Sequence, residues 1–199
     1  MYATVHQFRR DAATESGDWG RDLTAALHPG PAPLGTCVLG QVAGVLGAAV
    51  AFWPDAATAA EAAARTTTGP TWLDTDVYEV ASVESAAGAP RYAQINRFDG
   101  PRDEAQVRAE DYAGRERLWP AARQVPGIGP AFVLRAEDGA GLMIGFAESV
   151  AAIEAVQRAV MATELLPGED LALLTGPDRI DLHRVIHEAL PTTISGGIR

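Results

Sequence analysis

The sequence predicts an α+β fold: two ferredoxin-like βαββαβ repeats in tandem, closing on each other as an intramolecular α/β barrel. Three blocks of internal similarity in the same order predict it. Tyr2-Ala3-Thr4-Val5-His6-Gln7-Phe8 lies over Tyr92-Ala93-Gln94-Ile95-Asn96-Arg97-Phe98, Leu46 to Ala60 over Ala140 to Glu154, and Asp76-Val77-Tyr78-Glu79-Val80 over Asp181-Leu182-His183-Arg184-Val185. The offset grows from 90 residues (Tyr2 to Tyr92) through 94 (Leu46 to Ala140) to 105 (Asp76 to Asp181), so the second copy carries longer loops or helices. Repeats of this size are one supersecondary unit used twice.

Each copy reads the same way. The first strand is Tyr2 to Arg9, or Tyr92 to Phe98. A helical stretch follows, then a turn at Pro29 to Gly35, or at Pro126-Gly127-Ile128-Gly129. The second strand is Thr36 to Val42 or Ala131 to Ala136, and the third is Ala48 to Trp53 or Leu142 to Ala147. These are β-branched and aromatic runs bounded by Gly and Pro. A second helix covers Asp55 to Arg65, capped by Asp55, or Ser149 to Thr163, capped by Ser149 with Val150, Ile153, Val156 and Val160 as its apolar stripe. The fourth strand is Val77 to Val83 or Ile180 to Ile186. In the long helix of the second copy, Ala105, Ala109, Tyr112, Trp119 and Ala122 share a face, and Pro120 ends the helix near Trp119 or starts a new one. The repeats span 1–85 and 91–190, joined by a small-residue linker from Glu84 to Pro90. A four-stranded sheet with helices on one face leaves its other face apolar, and two such sheets can cover each other.

Composition narrows the function. The chain has 199 residues, 47% hydrophobic, with 26 acidic against 16 basic residues and a net charge of -10. That balance repels a phosphate backbone and an anionic membrane surface, so neither nucleic acid nor membrane is an expected partner. A lone Cys37 excludes a disulfide framework and a Cys-rich metal site, and in its apolar strand it reads as a small buried hydrophobe. No apolar run approaches the about 20 residues of a membrane span, and the first residues lack the order of a signal peptide. A soluble, cytoplasmic protein is expected. No Gly-rich nucleotide fingerprint, phosphate loop or nucleophile elbow is present, so no cofactor is expected. His183 and His187 share a strand face but stand ~13 Å apart at strand rise, too far to hold one metal; no metal is expected. Glu110, Asp111, Arg115, Glu116 and Arg117 read as a solvated helix face.

With its Asn96-Arg97-Phe98 strand end, its Val125-Pro126-Gly127-Ile128 turn and Phe52-Trp53 opening a helix, the chain resembles the dimeric α/β-barrel superfamily, specifically antibiotic-biosynthesis-monooxygenase-like domains, fused as two copies. The resemblance covers residues 1–85 and 91–190. It implies a substrate pocket between sheet and helices, with a polar residue at the end of the first strand facing a Trp at the end of the third. Carried over residue by residue, the polar position is His6 in the first copy and Asn96 in the second; the Trp position is Trp53 in the first and Ala147 in the second. Haem-degrading members also use a His on the second helix, and neither 55–65 nor 149–163 contains one.

The residues themselves leave alternatives. Tyr2, Thr4, His6 and Phe8 alternate on one strand face, as do Tyr92, Gln94, Asn96 and Phe98. Buried Gln94 and Asn96 either bond neighbouring groups or line a wet pocket. His6 is either structural or a base that titrates near neutrality. Trp53 is either an amphipathic plug or a pocket wall. Tyr112 and Trp119 are core residues first and substrate-lining residues second. Trp72, at the end of Thr66-Thr67-Thr68-Gly69-Pro70-Thr71, belongs to a loop that acts as a lid or packs down.

The resemblance implies a cofactor-independent monooxygenase acting on a hydrophobic aromatic or polyketide-like molecule. His6 and Asn96 are its expected catalytic residues, as base and oxyanion donor. Trp53, Gln94, Tyr112 and Trp119 are its expected substrate-binding residues. A non-catalytic small-molecule-binding module and an isomerase or cyclase on the same fold are the alternatives. Two unequal pockets are expected, the first favoured because His6 and Trp53 coincide there, with truncation of Trp119 costing mainly stability. A monomer is expected to suffice, since the second copy stands in for a partner chain.

Overall fold

A computed structural model describes residues 1–10, 17–27, 30–65 and 70–191. In chain order they form β1 (Tyr2–Arg9), α1 (Gly17–Ala26), β2 (Gly35–Gln41), β3 (Leu46–Trp53), α2 (Ala56–Arg65), β4 (Thr71–Glu84), β5 (Tyr92–Phe98), α3 (Glu104–Ala113), a π turn (Gly114–Leu118), α4 (Trp119–Ala122), β6 (Ile128–Arg135), β7 (Gly141–Ala147), α5 (Val150–Met161) and β8 (Arg179–Ala189). The element order is α+β and the strands pair antiparallel. No helix among the described residues is long and apolar enough to cross a membrane.

The chain divides into two compact units, Met1–Ala81 with Leu182 onwards, and Ser82–Asp181. One boundary between them falls within β8, most of which pairs along β2.

In the first unit, β1 lies between β3 and β4, and β2 lies between β3 and β8. Directly opposed residues of antiparallel strands share a face. Tyr2, Thr4, His6 and Phe8 of β1 thus share a face with Trp53, Ala51, Ala49 and Gly47 of β3. Helix α1 covers one end of this face, where Leu23 and Leu27 pack with Phe8, Val38 and Ala49; α2 covers the other, where Ala59 packs with Ala51 and Trp53. Close approach requires a glycine at 47, because a Cβ there would overlap the Phe8 ring and stand 2.9 Å from the Leu39 carbonyl oxygen. Asp55 caps α2 by accepting from the Thr58 amide at 2.8 Å, and the Thr58 amide and hydroxyl hold its carboxyl below the usual carboxylate range.

Two expectations change in this unit. Trp72 belongs to β4, not to a loop; its ring packs 5.5 Å from His6 and 5.8 Å from Phe8, centroid to centroid. The preceding residues 66–69 lie outside the described residues. His183 and His187 do not share a face. The register shifts as β8 passes β2, so that His183 opposes Gln41 while His187 opposes Val38, one on each side of the sheet. A bulge supplies one extra residue and inverts every side chain beyond it, which strand periodicity alone does not foresee. Cys37 is fully buried, and burial first, then the Glu188 carboxylate opposite it, pushes its thiol well up.

In the second unit, β7 lies between β5 and β6. Ala93, Ile95, Phe132, Leu134, Leu142, Ile144 and Phe146 form its buried apolar side. The linker docks here: the Gly88 amide donates to the Ile128 carbonyl at 2.8 Å, and a Cβ on Gly88 would stand 2.5 Å from that oxygen. Asp103 caps α3 in a reciprocal box with Gln106. Ser149 caps α5 through the Ala152 amide at 3.1 Å.

The expected long helix is broken by a π turn, in which the Trp119 amide donates back to the Gly114 carbonyl. A π turn inserts one residue and rotates the helix beyond it by about 100°. Tyr112 and Trp119 consequently do not share a core face. Ala113 and Ala122 are buried, whereas Tyr112 is 38% exposed and Trp119 half-buried. The acidic-basic cluster is not a uniformly solvated face either. Only Arg115 and Glu116 pair at the surface. Glu110 pairs with Arg102, whose side chain is buried, and Asp111 takes a bidentate bond from Arg135 at 2.8 and 3.0 Å. Arg117 grips Glu169 at 2.8 and 2.9 Å and donates to the Thr163 hydroxyl at 2.8 Å. These ion pairs tie α3 and the π turn to β6 and to the segment after α5.

The Glu169 side chain is 1% exposed. Desolvation pushes its carboxyl up, but the Leu166 amide and the Arg117 guanidinium prevail and hold it below its usual value. A carboxyl lowered by folding contributes stability above its unfolded value, lost as pH falls through the folded one. Arg117→Met leaves a desolvated, unpaired carboxylate. The urea midpoint of Arg117→Met should fall below wild type at neutral pH, and the gap should narrow as pH drops through the carboxylate range. A gap independent of pH would refute the pairing as its cause.

Candidate functional site

The two helix-facing sheet surfaces differ in how they treat their polar groups. In the first unit the face is sealed. His6 is 1% exposed, with Nδ1 3.0 Å from the Thr75 hydroxyl. Thr4 is fully buried and accepts from Trp53 Nε1 at 3.2 Å. Trp53 is 1% exposed. His6 and Trp53 share one face, as the β1–β3 register requires, but Thr4, Ala49 and Ala51 fill the ground between and beside them. Apart from Tyr2, the β1 and β3 residues of this face are buried. A surface hollow of about 250 Å³, open solvent included, lies beside α2 with Trp53, Leu27, Pro31, Thr58, Ala62 and Arg65 in its wall. Most of that volume is open solvent; the enclosed space is about 10 Å³, room for about one water, and His6 is not in its wall.

In the second unit the corresponding face is open. Gln94 opposes Gly145 and Asn96 opposes Met143 across β5 and β7; Val133 and Arg135 of β6 oppose Met143 and Gly141. Of these, Gly141, Met143, Gly145, Gln94, Val133 and Arg135 are all half-buried, and Asn96 is 9% exposed. A Cβ on Gly145 would meet only Met143 Sδ, at 3.5 Å. Gln94, Gly145 and Met143 thus floor a shallow trough on the side of the sheet that carries α5.

A chain of carboxamides runs along this trough. Gln157, exposed on α5, donates from Nε2 to Gln94 Oε1 at 2.8 Å, and Gln94 Nε2 donates to Asn96 Oδ1 at 2.7 Å. Among the described residues Asn96 Nδ2 donates to no protein group. A buried or half-buried N–H without a partner is costly unless water or a ligand takes it. This end of the chain has donor capacity to spare.

The structure therefore joins Gln94 and Asn96 in one unit and places His6 and Trp53 on one face of the other, four residues apart along the paired strands. Trp119 and Tyr112 stand on α4 and α3 on either side of the π turn, a local form often found at functional sites. Gln157 was not among the expected site residues. Its signal lay in spacing: it stands four residues after Ile153, a polar side chain flanking the apolar stripe of α5. Among the described residues no group of three or more His, Cys, Asp or Glu side chains gathers as a metal site would need.

No family model matches the chain, and no curated protein matches it either. Solved structures do. A crystal structure of an anthrone oxidase-like protein superposes with a TM-score of 0.63 at 16% identity, over 94% of this chain and 92% of that one. A Fusobacterium nucleatum protein assigned as a monooxygenase superposes at 0.57 and 7% identity, over 94% and 93%. The heme-degrading enzyme LmHde from Listeria monocytogenes superposes at 0.51 and 10% identity, over 92% and 99%. At these identities the likeness is one of fold, shared by proteins of several activities.

Burial reassigns the expected cost of losing a tryptophan. Trp53→Ala should cost about 3–5 kcal/mol, through a cavity and an unpaired Thr4 hydroxyl, while half-buried Trp119→Ala costs less. Urea denaturation of both variants checks this. An equal or larger loss at Trp119 would contradict the packing described for the first unit.

Proposed function

We propose that the protein is a cofactor-independent monooxygenase of hydrophobic aromatic or polyketide-like small molecules, working on the open face of the second unit. The observation that carries this is the unspent Asn96 Nδ2 donor in a trough floored by Gln94, Met143 and Gly145. The fold shared with an anthrone oxidase-like protein supports the reaction class. An electron-rich ketone of the anthrone type loses a proton to solvent, and Asn96 Nδ2 stabilises the resulting enolate oxygen. The carbanion reacts directly with molecular oxygen. One oxygen atom becomes the new carbonyl, and the other leaves as water with the two hydrogens of the oxidised carbon. Met143, and Tyr112 and Trp119 on the covering helices, would hold the ring. His6, sealed and bonded to Thr75, keeps a packing role in this scheme.

Oxygen uptake with a panel of anthrones and naphthols tests the proposal. Turnover is expected in the wild type, and Asn96→Ala should lower kcat by about 10²–10³, the usual effect of losing one oxyanion donor. No turnover across the panel would refute it. The expected polar and aromatic positions fall in different units, Asn96 in one and Trp53 in the other, which favours a second reading: a binding module without chemistry. Ligand-induced thermal stabilisation with no oxygen uptake would establish that alternative.

We further propose that the chain is a fusion of two βαββαβ repeats of the antibiotic-biosynthesis-monooxygenase-like kind, closing one α/β barrel by itself. The repeated strand-helix order supports this, as does the match of single chains over nearly their whole length. A chain that supplies both halves needs no partner to cover its sheet. Light scattering at low micromolar concentration should give a monomer's mass; an obligate dimer would contradict the fusion.

A further inference from the structure

The carboxamide chain Gln157–Gln94–Asn96 has a direction. Each member accepts on oxygen and donates from nitrogen, so Gln157 gives to Gln94, Gln94 gives to Asn96, and the chain ends on an outward N–H. A carboxamide turned by a half-rotation exchanges its donor and acceptor ends. The middle residue cannot turn alone, because Gln94 would then face nitrogen to nitrogen with Gln157 and oxygen to oxygen with Asn96. The three groups reverse together or not at all, and the group at position 157 decides which way they stand.

We propose that Gln157 is a positioning residue: through Gln94 it sets which end of the Asn96 carboxamide faces the open trough. With Gln157 donating, as here, that end is the Nδ2 donor, and the ligand atom it takes is an anionic or carbonyl oxygen on an aromatic ring. This rests on the reading of the Asn96 face as the substrate site. Gln157 touches no substrate in this scheme. It stands at the exposed end of the chain, so substitutions there disturb little packing.

Single-function groups at 157 lock the chain. An ammonium only donates, so Gln157→Lys keeps the present direction. A carboxylate only accepts, so Gln157→Glu forces Gln94 to donate toward α5 and present its oxygen to Asn96; Asn96 then spends its nitrogen on Gln94 and turns Oδ1 into the trough. A phenolate oxygen would meet a donor in the first variant and a lone pair in the second.

The probe is 4-nitrophenol, whose visible absorbance reports its phenolate form, titrated at fixed pH into wild type and variants. Wild type should bind the phenolate, and Asn96→Ala should abolish that binding. Gln157→Lys should match wild type, and Gln157→Glu should bind the phenolate at least about tenfold more weakly, the scale of a lost hydrogen bond to a charged group. A charge at 157 also acts through space, so the same pair is made in a Gln94→Met background, where the chain is cut and the charge remains. There the Lys and Glu variants should differ by no more than about threefold, as expected of an exposed, screened charge. A Lys–Glu contrast that persists after Gln94→Met, or no contrast with Gln94 intact, overturns the relay while leaving the Asn96 site standing. No phenolate binding by wild type, or binding indifferent to Asn96→Ala, overturns the site and the relay with it.

Discussion

A helix-covered sheet face that carries polar side chains must find each of them a partner, and that requirement shapes much else in this molecule. β1 presents Thr4 and His6, and β5 presents Gln94 and Asn96, at matching positions. Left without partners, such groups would cost on the order of 1–3 kcal/mol each. In the first unit the solution is local and closed: Trp53 bonds Thr4, Thr75 bonds His6, and Trp72 and Phe8 pack around them. In the second the partners lead outward, from Asn96 through Gln94 to an exposed Gln157, and the last N–H is left over. The same strand pattern yields a closed face in the first unit and a half-exposed one in the second.

The difference traces to side-chain volume beside those strands. β3 brings Ala49, Ala51 and the bulk of Trp53, with β4 adding Thr75 and Trp72, so nothing is left open around His6. β7 brings Gly141, Met143 and Gly145 at the facing positions, and Gly145 leaves room that only a methionine sulfur approaches. Helix cover differs as well. Ion pairs hold α3 and the π turn to β6 and to the segment after α5, while α5 packs through Ala152 and Ile153. The sheet face beneath them stays partly exposed at Gly141, Met143 and Gly145.

Much of the framework was legible in the sequence. The strands expected at Tyr2–Arg9 and Tyr92–Phe98 form there, and the helices expected after Asp55 and Ser149 start at those caps. These features are local: alternation, β-branching, a side chain reaching an amide three residues on. The features that stayed hidden are non-local or a matter of phase. One bulge in β8 puts His183 and His187 on opposite faces, and one π turn separates Tyr112 from Trp119, because each inserts a residue that no periodicity announces. The charge cluster misled for a related reason. Whether Arg117 meets water or Glu169, 52 residues later, depends on tertiary closure.

The candidate site divides along the same line. Gln94 and Asn96 could be placed on one face from alternation alone, and their mutual bond is a consequence of that spacing. Which unit's face is open could not be placed so, because a titratable base and an aromatic wall point equally well to a reactive pocket and to a satisfied core. The deciding quantity is occupied volume around the polar group, set by residues on other strands: Ala49 and Ala51 opposite β1, Met143 and Gly145 opposite β5. His6 has the more reactive side chain and Asn96 the more reachable one. A reaction that needs only a fixed dipole at a developing oxyanion asks for reach, since a carboxamide held by Gln94, itself held by Gln157, acts with no change of its own protonation.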